Sequence, residues 1–375
     1  MRILHIISGL KRGGAETQLF RICKFDQDND HIVVSLSNKQ GYGDILEKLN
    51  VPVYALNFSS GRINISGLIK LYRIMKQLKP DVVQTWMNHA DLIGGIIARI
   101  AGIKNIFWGV HQTVLIKGKS KASTIMIVKL NAILSKLIPN KIIYCAEKSR
   151  EVHELIGFKK SKGVVIQNGY DIKVFHQNDS LGKNFRDKLK ISQDAFIIGH
   201  VASYDPLKDQ DTLIKSLGNL LQRKIKFIAI LVGTNLDHLN DDLVSSLKDN
   251  GLSDNVHLLG IRDDILSVMN AIDLFLLSSI SEAFPNVLNE AMLCGTPCLT
   301  TDVGDSALIV GNTGWIVQPK DSKAMADACV DAFNEKEQNN GNWKKRKEAC
   351  RERIIENFSF EKMINKYKDI WVHDV

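Results

Sequence analysis

The chain has 375 residues, of which 45% are hydrophobic and 24% charged, and its formal net charge is +8. This length predicts two or three domains with ordinary cores. The longest apolar segment, residues 92–103, contains Arg99 and is shorter than the roughly 20 residues that span a bilayer, so no transmembrane helix is expected. The opening MRILHIISGL is predicted to be a buried strand, because it is too short and lacks the cleavage site of a signal peptide.

The charge is uneven along the chain. Residues 1–180 hold 26 Lys and Arg against 13 Asp and Glu, whereas residues 181–375 hold 23 against 28. A basic first half predicts that the first domain meets an anionic surface, either a membrane or a nucleic acid. The six scattered cysteines are typical of reduced core residues in a cytosolic protein. Their spacing indicates no metal site.

In the first half, short apolar runs alternate with longer amphipathic segments. Helix-length segments such as Gly67–Leu78 and Asp91–Ala101 lie between the runs. This alternation predicts an α/β fold with a parallel sheet and helices on both faces. The predicted strands are Ile3–Ile7, Ile32–Leu36, Val53–Leu56, Val82–Thr85, Ile106–Gly109 and Ile142–Cys145.

Three positions in the first half follow predicted strands and carry polar or glycine residues. Arg12-Gly13-Gly14-Ala15-Glu16 follows the first strand, and glycines in such a turn let the backbone approach a phosphate or sugar, although an ordinary tight turn is the alternative. His89 follows the fourth strand and His111 the fifth. The carboxyl edge of a parallel sheet is where ligands bind, so both histidines are candidates, with a purely structural role as the alternative.

The segment 115–137 is apolar but carries several lysines, including Lys117 and Lys129. It is either a core helix with a solvated basic edge or a helix that lies in the headgroup region of an anionic membrane. We favour the membrane over nucleic acid, because aromatic residues are not interleaved with the basic ones and no nucleic-acid-binding motif is present.

A strand and a turn at Asn168-Gly169 close the first domain near residue 170, and residues 171–190 have the polar composition of a linker. A new strand at residues 195–202 leads to Lys208, and another near 256–260 leads to Arg262. Residues 321–336 and 342–357 are predicted helices, and the last 16 residues carry apolar side chains at near-helical spacing.

The most informative stretch is DLFLLSSISEAFPNVLNEAMLCGTPCLTTD, residues 273–302. It predicts strand, loop, helix and strand, with Pro285 suited to the helix start and Gly295 to its end. Glu282 lies on the loop and Glu290 inside the helix. Acids at a helix start can be simple partners of its dipole, but two acids together with open backbone amides match a polyhydroxylated ligand.

This stretch resembles the signature of retaining glycosyltransferases of family 4. The resemblance rests on Glu282-x7-Glu290 together with intervening and following residues of the same motif, namely Phe284, Pro285, Asn286, Ala291, Gly295 and Pro297. It implies the GT-B fold, in which two Rossmann-like domains face a deep cleft. The expected parts are an acceptor-side domain over 1–170, a linker over 171–190, a nucleotide-sugar domain over 191–355 and a final helix over 356–375 that crosses back to the first domain.

The resemblance also implies roles for individual residues. Lys208 and the helix starts would stabilise the leaving diphosphate, Glu282 and the amides near Phe284 would hold the donor sugar, and Glu290 would accept hydrogen bonds from the ribose. His111 would contact the sugar near the reacting centre. Expected catalytic residues are thus His111, Lys208 and Glu282; donor-binding residues are Gly13, Gly14, Lys208, Arg262, Glu282, Ala283, Phe284, Pro285, Asn286 and Glu290; acceptor-side or secondary residues are Arg12, Glu16, His89 and Asn168.

The chain departs from the family pattern at Ser203, where an arginine that clamps the diphosphate is usual. Arg12 and Arg262 are candidate replacements.

The expected function is metal-independent transfer of a sugar from a nucleotide sugar to a lipid-linked acceptor in surface polysaccharide synthesis. UDP is the expected nucleotide, no cofactor is required, and the location is the inner face of the membrane. A sugar-nucleotide epimerase or phosphorylase, or a non-catalytic sugar-nucleotide binder, are the alternatives.

Overall fold

The structure is a computed structural model that describes residues 1–11, 13–58, 64–111 and 122–373. It divides into two compact units. The first unit comprises Met1–Gly169 and Glu361–Val375, and the second comprises Tyr170–Phe360. Arg12 and most of the basic stretch before residue 122, including Lys117, lie outside the described residues.

In the described part of the first unit, seven parallel strands form one sheet in the order β3-β2-β1-β4-β5-β6-β7. The strands are β1 (Arg2–Ile7), β2 (Asp30–Ser35), β3 (Val53–Ala55), β4 (Val82–Trp86), β5 (Ile106–Val110), β6 (Lys141–Tyr144) and β7 (Gly163–Val165). The helices are α1 (Gly14–Phe25), α2 (Gly43–Lys48), α3 (Ile65–Leu78), α4 (Asn88–Ile100), α5 (Ala122–Leu134) and α6 (Glu147–Ile156). The predicted strands are confirmed to within two residues at each end.

The first sheet buries both of its faces. On one face Leu4, Ile6 and Val83 form a core with Leu71 and Met75 of α3. The opposite face carries the polar residues His5, His31 and Gln84, and Trp371 of the last helix contacts all three. This burial on two sides is typical of parallel sheets.

The second unit, over its described residues, has a six-stranded parallel sheet in the order β10-β9-β8-β11-β12-β13. Its strands are β8 (Ile197–Val201), β9 (Ile228–Val232), β10 (Val256–Leu258), β11 (Leu274–Leu277), β12 (Cys298–Thr301) and β13 (Trp315–Val317). Its helices are α7 (Asp179–Lys188), α8 (Gln210–Gln222), α9 (Asp241–Asp249), α10 (Ile265–Ala271), α11 (Asn286–Leu293), α12 (Ser306–Val310), α13 (Ser322–Gln338) and α14 (Asn340–Phe358). The predicted fold class, α/β with two doubly wound parallel sheets, is confirmed.

The segment 171–190, predicted as a linker, is corrected by the structure because it contains helix α7. The Asn178 side chain caps this helix by accepting a 3.1 Å hydrogen bond from the Leu181 N–H. Gly182 packs so closely on α10 that an added Cβ would lie 2.3 Å from the Asn270 carbonyl oxygen. The helix buries only a narrow stripe, and its polar remainder gave the segment the composition of a linker. It is an integral part of the second unit.

The last helix, α15 (Phe360–His373), belongs to the first unit from Glu361 onward. Tyr367 and Trp371 of this helix are buried, at 2% and 0% exposure. The chain therefore enters the second unit at Tyr170 and returns to the first after Phe360. Tyr170 and Ser359 form an isolated parallel bridge beside these two crossings.

Candidate active site

The loop between β11 and α11 carries the two glutamates predicted from sequence. Glu282 lies on this loop, and Glu290 lies one turn inside α11. The Glu282 side chain is 13% exposed, and Glu290 is half-buried. Both residues therefore follow the carboxyl end of β11, the edge at which parallel sheets bind ligands.

Glu282 pairs with Lys208, which lies on the loop between β8 and α8. Lys208 Nζ is 2.5 Å from Glu282 Oε1, and the Ser279 hydroxyl donates a 2.7 Å hydrogen bond to the same oxygen. The lysine side chain remains 27% exposed. Charge-assisted hydrogen bonds of this kind fix a carboxylate strongly. The structure thus brings together two residues that are 74 positions apart in the sequence.

Two hydrogen bonds tie the lysine loop to the end of β11. The Ser278 hydroxyl donates to the Lys208 carbonyl at 2.7 Å, and the Ile280 N–H donates to the Leu207 carbonyl at 2.8 Å. Because both bonds involve the backbone beside the lysine, they fix where its side chain begins. The site is therefore held by the scaffold and not by the ion pair alone.

Gly304 packs against the backbone of the loop that carries Glu282. Its φ is +55°, and an added Cβ would lie 2.5 Å from the carbonyl oxygens of both Glu282 and Ala283. The neighbouring Asp305 N–H donates to the Ala283 carbonyl at 2.9 Å. Only glycine meets both requirements, a left-handed backbone and no side chain.

Sequence reasoning missed these supporting residues. Ser279 is fully buried, and its carbonyl accepts a 2.6 Å hydrogen bond from the Thr301 hydroxyl at the end of β12. A detectable signal existed, because Ser278 and Ser279 directly follow the apolar run of β11 and Thr301 closes β12. Hydroxyl residues at adjacent carboxyl ends of strands are placed to form such a support. Gly304 offered no comparable signal beyond being a glycine.

The start of α11 is anchored by aromatic residues. Pro285 was expected to be the first residue of the helix, but it is the residue just before the first helical residue, Asn286, so the helix begins one residue later than expected. Phe284 is buried and meets the Phe358 ring edge-on at 5.5 Å. The Tyr170 hydroxyl donates a hydrogen bond to Asn286 Oδ1. Backbone amides at such a helix start are donors for an anionic or hydroxyl-bearing ligand.

The position of the usual clamp arginine, Ser203, is exposed. The candidate replacement Arg262 is engaged elsewhere: it donates to both carboxylate oxygens of Asp264 at 2.6 and 2.7 Å and lies 5.2 Å above the Phe185 ring. The hydrogen bond to Asp264 raises the pKa of the Arg262 guanidinium. The charge of the Arg262 guanidinium is therefore offset by Asp264, as that of Lys208 is by Glu282.

In the first unit, the glycine loop leads directly into α1. Gly13 is the residue before the helix and is extended, with φ −165°, and Gly14 is the first helical residue. An added Cβ at Gly13 would lie 2.5 Å from Glu16 Oε2, so the glycine makes room for that carboxylate at the helix start. Burial raises the pKa of the Glu16 carboxyl. The loop thus combines open backbone with a partly buried acid at the helix start.

The predicted histidines follow β4 and β5. His111 comes directly after β5, and burial lowers the pKa of its imidazole to about 4. Its Nε2 atom is buried and has no hydrogen-bond partner among the described residues. His89 is the second residue of α4, and burial lowers its pKa as well. Asn168 is buried near the end of the first unit, at 5% exposure.

Two family models match the chain in its two halves. The model described as "Glycosyltransferase Family 4" matches residues 12–174, and the model described as "Glycosyl transferases group 1" matches residues 195–335. Together they account for most of the chain.

Individual proteins resemble the chain over nearly its whole length. UDP-Gal:alpha-D-GlcNAc-diphosphoundecaprenol alpha-1,3-galactosyltransferase of Escherichia coli is 23% identical over 99% of this chain and 95% of its own. N,N'-diacetylbacillosaminyl-diphospho-undecaprenol alpha-1,3-N-acetylgalactosaminyltransferase of Campylobacter jejuni is 25% identical over 86% and 87%. The solved structure of Anabaena Alr3699/HepE in complex with UDP superposes with a TM-score of 0.84 at 22% identity, over 98% of this chain and 99% of that one. The fold is therefore shared with that protein.

Proposed function

We propose that this chain, which belongs to glycosyltransferase family 4 and has the GT-B fold, moves a sugar from a UDP-sugar to a lipid-linked acceptor in surface polysaccharide synthesis. The pairing of Lys208 with Glu282 at the carboxyl edge of the second sheet carries the proposal. Its acceptor class is taken from the two relatives, whose names specify diphosphoundecaprenol-linked sugars.

The donor would lie against the second unit. Lys208 supplies a cation for the diphosphate. Glu282 accepts hydrogen bonds from the sugar hydroxyls, and the backbone amides at the start of α11 donate to them. Glu290 accepts hydrogen bonds from the ribose hydroxyls. In the structure the charge of Lys208 is offset by Glu282. The incoming diphosphate therefore displaces the carboxylate from the lysine, and the released Glu282 oxygen becomes the acceptor for a sugar hydroxyl.

In the proposed reaction, the bond between the sugar C1 and the β-phosphate oxygen breaks and a bond from the acceptor oxygen to C1 forms. The acceptor proton passes to the departing diphosphate, on the same face, so that the configuration at C1 is retained. Negative charge grows on the diphosphate as the bond breaks, and a fixed cation and helix amides stabilise it most at that point. Lys208 would fill the place that a metal ion takes in other transferases, so no metal or cofactor is needed.

The first unit offers a surface for the membrane that holds such an acceptor. Met126, Ile133 and Leu137 lie along one side of α5 and the following turn, and they are 67%, 64% and 75% exposed. Lys129 and Lys136 are exposed beside them. Within the described ranges, every helix is too short or too polar to cross a bilayer. An apolar row flanked by lysines suits shallow insertion among anionic headgroups, so we place the protein peripherally at the inner face of the membrane.

The test is a donor screen with purified protein, a short polyprenyl diphosphate-linked sugar as acceptor, and UDP-, GDP- and ADP-sugars in the presence of EDTA. The expected result is an extended lipid-linked product from a UDP-sugar, undiminished by EDTA. An altered free sugar nucleotide without acceptor product would point to an epimerase, and UDP-sugar binding without turnover would point to a non-catalytic binder. Loss of transfer on adding EDTA would contradict the metal-independent reaction.

A further inference from the structure

The first unit buries a group of polar side chains beneath α15 that no step of the proposed reaction uses. His5 on β1 and His31 on β2 are 0% and 6% exposed, and their rings lie 5.1 Å apart. Trp371 of α15 lies against both rings, at 6.1 and 6.2 Å between centroids. Buried polar groups in proteins are normally hydrogen-bonded, and here the hydrogen bonds link several side chains in one continuous series.

The direction of this chain of hydrogen bonds follows from its first donor. Trp86 Nε1 lies 3.2 Å from His5 Nδ1, and an indole N–H can only donate. His5 therefore carries its proton on Nε2 and donates to His31 Nδ1 at 2.9 Å, and His31 Nε2 donates to Asp26 Oδ2 at 3.1 Å. Lys368 of α15 is the last member of this series of hydrogen bonds, with its Nζ 3.1 Å from Asp26 Oδ1. We call these five residues the buried relay.

The buried relay is not a metal site, although Cys23 lies close to it. The ligand atoms of His5, Cys23 and His31 lie within 4.8 Å of one another. A metal ion on His5 Nε2 would require that atom to lose its proton, and the proton on Nδ1 would then oppose the Trp86 N–H. Burial also raises the pKa of the Cys23 thiol, which disfavours the thiolate that metals bind. The relay instead fixes one orientation of the Trp86 indole.

Trp86 in turn contacts the candidate site. Its ring stacks on the His111 imidazole, with centroids 5.0 Å apart and planes at 25°, and lies 6.0 Å from the Tyr367 ring of α15. Gly109, two residues before His111, has no room for a side chain, because an added Cβ would lie 2.7 Å from the Thr85 carbonyl oxygen. The indole therefore lies between two parts of the molecule that differ in role, the last helix and the histidine after β5.

We propose that Trp86 is a positioning residue for the His111 imidazole, and that α15 sets the Trp86 indole through the buried relay. His111 Nε2 has no hydrogen-bond partner among the described residues, so the stack on Trp86 defines the plane of the imidazole. The inference rests on the proposed function in taking His111 as the residue beside the donor sugar. It adds that the C-terminal helix, although remote in sequence, holds that residue ready for the sugar.

The first test is structural and needs no turnover. The imidazole proton signals of His111, identified by their loss in His111→Gln, are expected to be shifted upfield in the wild type by the ring current of Trp86. Trp86→Phe should keep most of this shift, Trp86→Leu should abolish it, and Lys368→Met, at the far end of the relay, should reduce it. An identical signal in the wild type and Trp86→Leu would overturn the stack, and an identical signal in Lys368→Met would overturn the role of α15.

The second test is a double-mutant cycle with the proposed donor. Trp86→Leu is expected to lower kcat about tenfold with little change in the donor KM, whereas Trp86→Phe stays near the wild type. In the His111→Ala background, Trp86→Leu should lower kcat less than about twofold, because the effect passes through the imidazole. Equal losses in both backgrounds would show a merely structural role. If the wild type transfers no sugar, the proposed function fails, while the NMR test still decides the positioning.

Discussion

Replacing Glu282 with Gln should tighten the binding of UDP while slowing transfer. Lys208 Nζ lies 2.5 Å from Glu282 Oε1, and the two side chains are 27% and 13% exposed. A partly solvated pair of this kind stabilises by about 1 kcal/mol, which corresponds to about fivefold in Kd. UDP has to break this pair in the wild type but not in the Glu282→Gln variant. We therefore expect the variant to bind UDP about fivefold more tightly.

The assay is isothermal titration of UDP into both proteins, with transfer from the UDP-sugar measured in parallel. Glu290→Gln is the matched control, because the same isosteric change on α11 replaces the proposed charged ribose acceptor with a weaker neutral one and should weaken UDP binding. Transfer should fall in both variants, since each weakens a charge-assisted hydrogen bond to the donor. A UDP affinity that is unchanged or lower in Glu282→Gln would refute the exchange of partners at Lys208.

Three further predictions address the support, the pH dependence and the membrane surface. Gly304→Ala should lower the free energy of unfolding by about 1–3 kcal/mol and reduce transfer. The control Gly102→Ala, also at positive φ but with open space around it, should leave transfer intact. Equal transfer by the two variants would contradict the close packing of Gly304 on the Glu282 backbone. Burial lowers the pKa of His200 to about 4, so between pH 6.5 and 4 the unfolded chain binds a proton that the folded chain does not. As the pH is lowered through this range, the free energy of unfolding should therefore decrease, with this residue contributing up to about 1.4 kcal/mol per pH unit. Urea denaturation at pH 7 and 5 should show a smaller loss for His200→Asn, and an equal loss would be evidence against it. Changing Met126 and Ile133 to Ser should weaken sedimentation with anionic vesicles at an unchanged melting temperature, whereas Leu239→Ser, which removes an exposed leucine of the second unit, should not; equal binding by both would remove the membrane assignment.

The sequence was sufficient to predict the fold class and the main candidate residues because these features are local. Alternating apolar runs specify strands and helices one at a time, and the motif from Glu282 to Pro297 is contiguous. The family assignment made from this motif is confirmed by models that match both halves of the chain. The roles of individual residues remain predictions, to be decided by the variants above.

Features that depend on contacts between distant segments could not be predicted from the sequence. Asp26 is one example, because it is 2% exposed and its partners His31 and Lys368 come from a strand and from the last helix. Helix α7 was missed because it buries only a narrow stripe. The buried relay could not be inferred from spacing, because it joins residues of β1, β2, β4, α15 and the segment that follows α1.

The most direct measurement is the kcat of Lys208→Ala at saturating UDP-sugar. If Lys208 stabilises the departing diphosphate, this rate should fall by roughly 10²–10³ while the protein stays folded. A rate equal to that of the wild type would mean that the ion pair with Glu282 is only structural, and the proposed active site would lie elsewhere.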